Sequence, residues 1–271
     1  MERRDRLRTT DGALIRVLAL VPARRGKGLV AGVSVLPSAM KRFSFSPEMR
    51  YGLHPMTDPT FTILLGGTLS PTDRLKSAVV GTRSIAADGG IRHADLLGLQ
   101  PELWVGDFDS SMDLPAGRFD GVPRMPYPAQ KAVTDGEIAV GEALARGARR
   151  LILAGALGGE RSDHALMHLI FGVALAKAGT EVMMTSGEEE AFPLLKTPVT
   201  IDLPKGSLFS ILGLTPLDGL TIENARYPLH DFALPFGSSR TISNVAEGPV
   251  AFSLKSGDAV IVARPYDMSG V

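Results

Sequence analysis

The chain has 271 residues, no cysteine and a formal net charge of zero, with 29 Lys and Arg against 29 Asp and Glu. The balanced charge argues against a general nucleic-acid or membrane-surface role, because both usually need a basic face. The lack of cysteine excludes disulfides and cysteine-based zinc sites and fits a cytoplasmic protein. No apolar run approaches the ~20 residues of a membrane-spanning helix. We therefore expect no nucleic-acid or membrane partner.

Residues 1–56 differ from the rest of the chain in charge and pattern. Residues 1–55 contain eleven of the 29 Lys and Arg against four acids, with no regular periodicity. The apolar stretch 13–21 is short and interrupted by Arg16, which is not typical of a signal peptide. Three interpretations stay open: a disordered basic tail, a transit-like segment, or residues upstream of the true start. Met56, just before the first clear strand, favours the third.

Strand and helix patterns alternate through residues 57–190. Buried strands, several of them ending in glycine or aspartate, are predicted at residues 61–67, 84–90, 101–107, 151–159 and 181–186. The longer helices are predicted at residues 70–79 with Ser70 as N-cap, at 134–147 with a capping box of Thr134 and Glu137, and at 162–179 with Ser162 as cap. This alternation indicates an α/β fold with a parallel sheet covered on both faces.

Residues 191–271 follow a different pattern. Short apolar or alternating runs are separated by Gly, Pro, Asn and Asp, and no helical period is present. Such a pattern is typical of an all-β unit, most simply a small sandwich. The segment 187–198 is predicted to link it to the α/β domain. The expected organisation is thus an extension (1–56), a parallel-sheet α/β domain (57–190) and a small β-sandwich domain (191–271).

The stretch "VGDFDSS" places two aspartates one residue apart at the end of a predicted strand. Side chains alternate along a strand, so Asp107 and Asp109 would point the same way and Phe108 the opposite way. Neighbouring carboxylates repel each other, and Mg²⁺ bound to their oxygens would remove that repulsion. A polar turn explains the same residues. The pair alone therefore leaves a turn and a metal site both open.

Acidic residues recur beyond the carboxyl ends of the predicted strands, where ligands bind in open parallel sheets. Five acids fall at this edge: Asp88, Asp107, Asp109, Asp135 and Asp163. Each has a simpler explanation, as a turn residue or as a first-turn charge of a helix. Their coincidence at one edge indicates a functional site.

Glycine pairs at the same edge would let backbone amides approach a phosphate closely. The pairs are Gly66–Gly67, Gly89–Gly90 and Gly158–Gly159. Arg161 and Lys131 add positive charge, although surface roles explain both equally well. Acids for a metal, glycines and cations together predict phosphoryl-type transfer.

The motifs "ADGG", "PELWVGDFDSS", "KAVTDGEIA", "GALGGERSDHALMHL" and "YPL…TISNVAEG" occur in this order. Over about residues 61–264 the chain resembles the thiamine pyrophosphokinase family. The resemblance implies a homodimer that transfers a pyrophosphoryl group from ATP, as co-substrate, to thiamine, with Mg²⁺ as cofactor. The products would be thiamine diphosphate and AMP. It also implies a nucleotide-binding α/β domain followed by a thiamine-binding β-sandwich.

The resemblance suggests roles residue by residue. Asp107 and Asp109 match the family's paired acids, expected to handle Mg²⁺, and Asp88, Asp135 and Asp163 match further catalytic acids. Contacts with the nucleotide are expected from the following residues: Gly89, Gly90, Lys131, Thr134, Gly158, Gly159, Arg161 and His164. Contacts with thiamine are expected from Tyr227, as an aromatic face, and from Ser243 and Asn244 at the pyrimidine end. The general base stays unassigned.

Three positions depart from the family pattern. Ala132 stands where the family often has an acid, and His168 stands where it often has a helical asparagine. Glu160 lengthens the loop before Arg161 by one residue. A helix-packing role and a ligand contact are both open for His168. Two other functions also stay open: a pyrophosphokinase for another small alcohol such as a hydroxymethylpterin, and a non-catalytic thiamine- or nucleotide-binding module.

Overall fold

The computed structural model describes residues 49–51, 59–108, 117–127 and 133–269. Its strands are β1 (Met49–Tyr51), β2 (Thr60–Leu64), β3 (Arg83–Ala87), β4 (Leu103–Gly106), β5 (Arg124–Pro126), β6 (Arg150–Ala154), β7 (Glu181–Thr185), β8 (Glu190–Leu194), β9 (Val199–Ile201), β10 (Leu208–Gly213), β11 (Leu217–Ala225), β12 (Leu229–Leu234), β13 (Asn244–Ser253) and β14 (Ala259–Arg264). Its helices are α1 (Asp73–Val79), α2 (His93–Leu97), α3 (Asp135–Ala145), α4 (Ser162–Lys177) and a 3₁₀ helix at Asp88–Arg92.

A parallel sheet in the order β5-β4-β3-β2-β6-β7 forms the first part of the fold. β2 lies in its middle and pairs with β3 on one side and β6 on the other. Every residue of β2 is buried, as expected for a parallel strand covered on both faces. α3 packs on β2, β3 and β4, while α4 packs on β7 and β8. The predicted α/β fold with a parallel sheet is confirmed.

The sheet continues without a break into an antiparallel region. β8 pairs antiparallel with β7 and with β14, and β10 joins β14 to the start of β13. A second set of strands, β1, β9, β13, β11 and β12, shares β13 with the first. Apolar residues of both sets form one core, in which Phe209 and Phe252 meet edge to face with ring centroids 5.4 Å apart. The predicted strand-rich second part is confirmed.

The prediction of a linker at residues 187–198 is wrong. Glu190–Leu194 is a fully buried strand that is hydrogen-bonded on both sides. The acid at its start is tolerated because Arg74 pairs with Glu190, its Nε lying 2.6 Å from Oε1 and its Nη2 lying 3.0 Å from Oε2. Burial of a carboxylate is costly unless it is paired and hydrogen-bonded in this way. The domain boundary near residue 190 stays a prediction.

The helix starts agree only in part with the sequence. Thr134 caps α3 in a full capping box with Glu137, as expected. α1 is instead capped by Thr72, because Ser70 is held by Ser186 and Glu188. Ser162 is already the first residue of α4, and no side chain caps that helix. Thus the predictions of Ser70 and Ser162 as caps are wrong.

Candidate active site

Asp88 and Asp107 are neighbours at the carboxyl edge of the parallel sheet. Asp88 follows β3 with a φ of 44°, a left-handed backbone that few residue types adopt, and begins the 3₁₀ helix. Its carbonyl accepts a hydrogen bond of 2.9 Å from Trp104 Nε1. Gly106, the last residue of β4, lies so close that an added Cβ would be 3.1 Å from the Asp88 Cα. Asp107 follows directly, and both aspartates are half-buried.

The strand geometry expected for "VGDFDSS" is wrong. β4 ends at Gly106, and Phe108 has a φ of 64°, so side-chain alternation does not extend past Asp107. The Phe108 ring packs edge to face on Trp104, with centroids 5.0 Å apart. This aromatic contact is compatible with a chain that turns out of the sheet. Asp109, Lys131 and Ala132 lie outside the described residues, so the predictions for them stay predictions.

The glycine pairs are brought together around the end of β2. An added Cβ on Gly67 would lie 2.3 Å from the Gly155 carbonyl oxygen, and one on Gly159 would lie 3.5 Å from Thr68 N. Gly90 packs against the end of β2, and an added Cβ on Gly90 would lie 2.2 Å from the Leu64 carbonyl oxygen. The three loops therefore approach one another through backbone atoms. Bare backbone at a strand end is the arrangement that lets amides face an anion.

Arg161 and Asp163 form an ion pair at the start of α4. Arg161 Nε lies 2.9 Å from Asp163 Oδ1, and Nη2 lies 2.7 Å from Oδ2. The guanidinium bonds hold the pKa of the Asp163 carboxyl well below its usual range. Both side chains are more than 60 % exposed, at 67 % and 63 %. Because exposed ion pairs contribute little stability, Arg161 can exchange this partner for a phosphate at low cost.

A cavity of about 260 Å³ lies between α3 and α4. It brings together three residues expected at the site, Thr134, Asp163 and His164. Asp135 lies beside it as the first residue of α3. The sequence predicted only a capping role for the cavity's Glu137 and left a ligand contact open for His168, which lies one helical turn after His164.

Tyr227, Ser243 and Asn244 line a second cavity, of about 140 Å³, in the antiparallel region. The Asn244 amide is occupied by backbone: Oδ1 accepts from Tyr227 N at 3.1 Å and Val245 N at 2.8 Å, and Nδ2 donates to Tyr227 O at 2.9 Å. Asn244 therefore holds the backbone of Tyr227, a residue that is 53 % exposed. Arg240 also lines this cavity and was not predicted from the sequence.

Ser243 has a φ of 58°, and its N–H donates to Ser210 Oγ at 3.0 Å. Its exposed side chain therefore stands on a backbone fixed from β10. Contacts of Ser243 and Asn244 with thiamine stay predictions.

The carboxylates of Asp88 and Asp107 are suitable ligands for a magnesium ion, because Mg²⁺ prefers carboxylate oxygens and keeps part of its coordination shell for water and phosphate. Within the part of the chain that the structure describes, no group of three His, Cys, Asp or Glu side chains could hold a metal. Two carboxylates plus phosphate oxygens are the usual set for Mg²⁺ in phosphoryl transfer.

The same described residues include no helix long and apolar enough to cross a membrane.

His93 supports the glycine loop and makes stability depend on pH. It is buried, and its Nε2 lies 2.9 Å from the Gly67 carbonyl oxygen. Burial, opposed by that hydrogen bond and aided by the nearby Arg92 charge, lowers the pKa of His93 below 6.5. The unfolded chain therefore binds more protons than the folded chain below about pH 6.5.

The free energy of unfolding should consequently fall as pH drops below about 6.5. We expect His93→Gln to remove part of the loss between pH 7.5 and 5.5, because the variant has no imidazole to take up a proton on unfolding. Urea unfolding of both proteins at the two pH values measures this. An identical loss in the variant would show that His93 is not the group responsible.

Acids and glycine loops lie at the carboxyl edge of a parallel sheet, and the sheet continues into an antiparallel region that has its own cavity. This combination of fold and site defines a nucleotide-dependent transferase. Residues 81–184 match the family model "Thiamin pyrophosphokinase, catalytic domain", and residues 198–257 match "Thiamin pyrophosphokinase, vitamin B1 binding domain". The two matches together span more than half of the chain. The chain belongs to the thiamin pyrophosphokinase family, whose reaction is the ATP-dependent pyrophosphorylation of thiamine.

Solved structures agree in fold. Thiamine pyrophosphokinase from Bacillus subtilis is 22 % identical, covers 77 % of this chain and 99 % of its own, and has a TM-score of 0.66. The enzyme from Candida albicans is 14 % identical, with coverages of 82 % and 95 % and a TM-score of 0.64. The yeast enzyme is 12 % identical, with coverages of 83 % and 96 % and a TM-score of 0.61. A search of curated protein sequences gives no match.

Proposed function

We propose that this chain transfers the pyrophosphoryl group of ATP to the thiamine hydroxyl, with Mg²⁺ as cofactor and as a homodimer with two sites. The observation that supports this most is the presence of both family domains in one chain, each with its own cavity. The products are thiamine diphosphate and AMP. A cytoplasmic location remains part of the proposal.

Asp88, Asp107 and Asp109 would hold the metal. Bound Mg²⁺ supplies positive charge that neutralises the phosphate oxygens during attack on the β-phosphorus. The backbone of the loops at Gly66–Gly67 and Gly158–Gly159 approaches the phosphates without side chains in the way. The N-termini of α3 and α4 add favourable dipoles toward the same anion.

Thiamine would bind at the second cavity. Its thiazolium ring is cationic and is attracted by an aromatic face. Tyr227 offers such a face, since the residue is half-exposed and its backbone is fixed on both sides by Asn244. Asn244 then acts as a positioning residue for Tyr227. The Ser243 side chain is exposed at the same cavity and is available to the aminopyrimidine.

Exposed apolar side chains support the homodimer. Leu166, Met167 and Ile170 of α4 are exposed at 54 %, 57 % and 41 %. Contiguous exposed apolar surface marks interaction sites in soluble proteins. The two cavities share no lining residue, so pairing of two chains offers a way to bring the nucleotide edge of one to the thiamine cavity of its partner.

Subunit mixing tests this arrangement. We expect Asp107→Asn and Ser243→Trp proteins, each inactive alone, to regain about a quarter of wild-type activity after exchange, because about half of the dimers are mixed and each keeps one intact site. As a control, Asp107→Asn mixed with Asp88→Asn should regain none, since both changes affect the same domain. Equal recovery in the two mixtures, or none despite proven exchange, would contradict a site built from two chains.

A substrate panel tests the function itself against its alternatives. The purified chain is incubated with ATP, Mg²⁺ and either thiamine or a hydroxymethylpterin, and the products are separated by chromatography. We expect a product from thiamine alone. Product from the pterin alone would identify a different pyrophosphokinase, and tight thiamine binding without turnover would identify a binding module.

A further inference from the structure

The cavity between α3 and α4 has an apolar interior and a polar mouth. Leu153, Val140 and Phe171 are among the apolar residues that line it. Thr134 and Asp163, at the starts of the two helices, are among its polar residues. Ligand pockets typically combine an apolar lining with a few converging polar groups. A volume of about 260 Å³ lies just below the range of about 300–1,000 Å³ for drug-sized ligands, which suits a planar base better than a whole nucleotide.

His168 is a polar residue of this cavity whose ring orientation is fixed by a hydrogen bond to backbone. Its Nδ1 lies 2.8 Å from the Ala156 carbonyl oxygen, which can only accept, so Nδ1 carries the proton and donates. Burial lowers the pKa of His168, and the ring is neutral near pH 7. Nε2 of a neutral ring protonated at Nδ1 is an acceptor. In this cavity-lining residue, the ring nitrogen not bonded to Ala156 therefore accepts a hydrogen bond rather than donating one.

Glu137 gives the cavity the same preference. Its Oε2 accepts from Thr134 N at 2.7 Å and Thr134 Oγ1 at 3.0 Å, which keeps the carboxylate at the start of α3. The side chain carries negative charge and offers no donor when ionised. A ligand that presents hydrogen-bond donors to His168 and Glu137 is therefore favoured. A ligand that presents an acceptor to these two side chains is not.

We propose that this cavity binds the adenine ring of ATP and that His168 Nε2 accepts a hydrogen bond from the exocyclic amine of the base. The proposal rests on the proposed function for the choice of nucleotide. The phosphates then leave through the mouth, where Asp163 and the start of α4 lie. Guanine and hypoxanthine carry a carbonyl oxygen in place of the amine, which sets acceptor against acceptor and disfavours both bases.

Nucleotide binding tests this without turnover. Dissociation constants of ATP and of purine riboside triphosphate, which lacks only the amine, are measured by calorimetry in Mg²⁺ buffer. We expect wild type to bind ATP about tenfold more tightly. In His168→Phe, which fills the space but cannot accept, the ratio should fall close to one.

His164→Phe is the matched control, since His164 lies one turn away with its ring centroid 6.4 Å from that of His168. This variant should keep the wild-type ratio whatever it does to overall affinity. His168→Asn, which retains an acceptor oxygen, should keep part of the ratio and serves if the Phe variant does not fold.

An unchanged ratio in both His168 variants, or no preference for the amine in wild type, would overturn the proposal. A selective wild type that forms no thiamine diphosphate would instead contradict the proposed function and leave the base site standing.

Discussion

Asp107→Asn should lower kcat about a thousandfold while leaving the fold unchanged. Asparagine has nearly the same volume, so packing at the end of β4 is kept, but the carboxylate charge needed beside Asp88 is lost. A loss of about 4 kcal/mol in transition-state stabilisation corresponds to this factor, at 1.36 kcal/mol per tenfold. The measurement is steady-state turnover with ATP and thiamine at saturating Mg²⁺, with circular dichroism to verify the fold.

The control is Asp120→Asn. Asp120 belongs to the same half of the chain, but its side chain is 74 % exposed and pairs only loosely with Arg124, at 3.8 Å. We expect this variant to retain wild-type turnover. Near-normal rates in Asp107→Asn at saturating Mg²⁺ would show that Asp107 does not belong to the reacting site.

Gly90→Ala should destabilise the fold by about 3 kcal/mol, as expected for an atom forced into a packed interior. The added Cβ would lie 2.2 Å from the Leu64 carbonyl oxygen and 2.9 Å from the Leu65 carbonyl carbon. Both are backbone atoms of the central strand and the residue after it, and they cannot turn aside as a side chain would. The 3₁₀ helix must shift instead, and it begins with Asp88. Turnover should therefore fall together with stability.

Gly141→Ala is the matched control for this substitution. Gly141 lies in the exposed face of α3 and has nothing within 4 Å of an added Cβ. Alanine there should stabilise the protein by about 0.5–1 kcal/mol, because glycine is a poor helix former. Urea unfolding measures both variants. If Gly90→Ala unfolds within 0.5 kcal/mol of wild type, the close approach of the 3₁₀ helix to β2 is not as tight as described.

The parts of the fold that depend on local pattern were predictable from the sequence. The apolar runs of β2, β3 and β6 and the capping box of Thr134 and Glu137 are formed by neighbouring residues, and the structure confirms them. The carboxyl ends of parallel strands meet at one edge by topology alone. The closeness of Asp88 and Asp107 could therefore be predicted, because each residue follows the carboxyl end of a parallel strand.

The parts that depend on distant partners were not predictable. β8 is acidic at its start, and its place inside the sheet depends on Arg74, 116 residues earlier in the chain. The end of β4 is decided by the left-handed Phe108 and its contact with Trp104. The cavity between α3 and α4 is lined by residues of both helices, and the backbone bonds of Asn244 arise where β13 meets the chain after β11. Arg74 and Tyr227 in particular lie far in sequence from their partners Glu190 and Asn244.

The identity of the nucleotide product tests the central claim most directly. The purified chain, ATP, Mg²⁺ and thiamine are incubated, and the nucleotide and thiamine products are quantified together by chromatography and mass spectrometry. Transfer of a pyrophosphoryl group predicts one AMP for every thiamine diphosphate, with no thiamine monophosphate formed on the way. ADP with thiamine monophosphate, or nucleotide hydrolysis without any phosphorylated thiamine, would contradict the account.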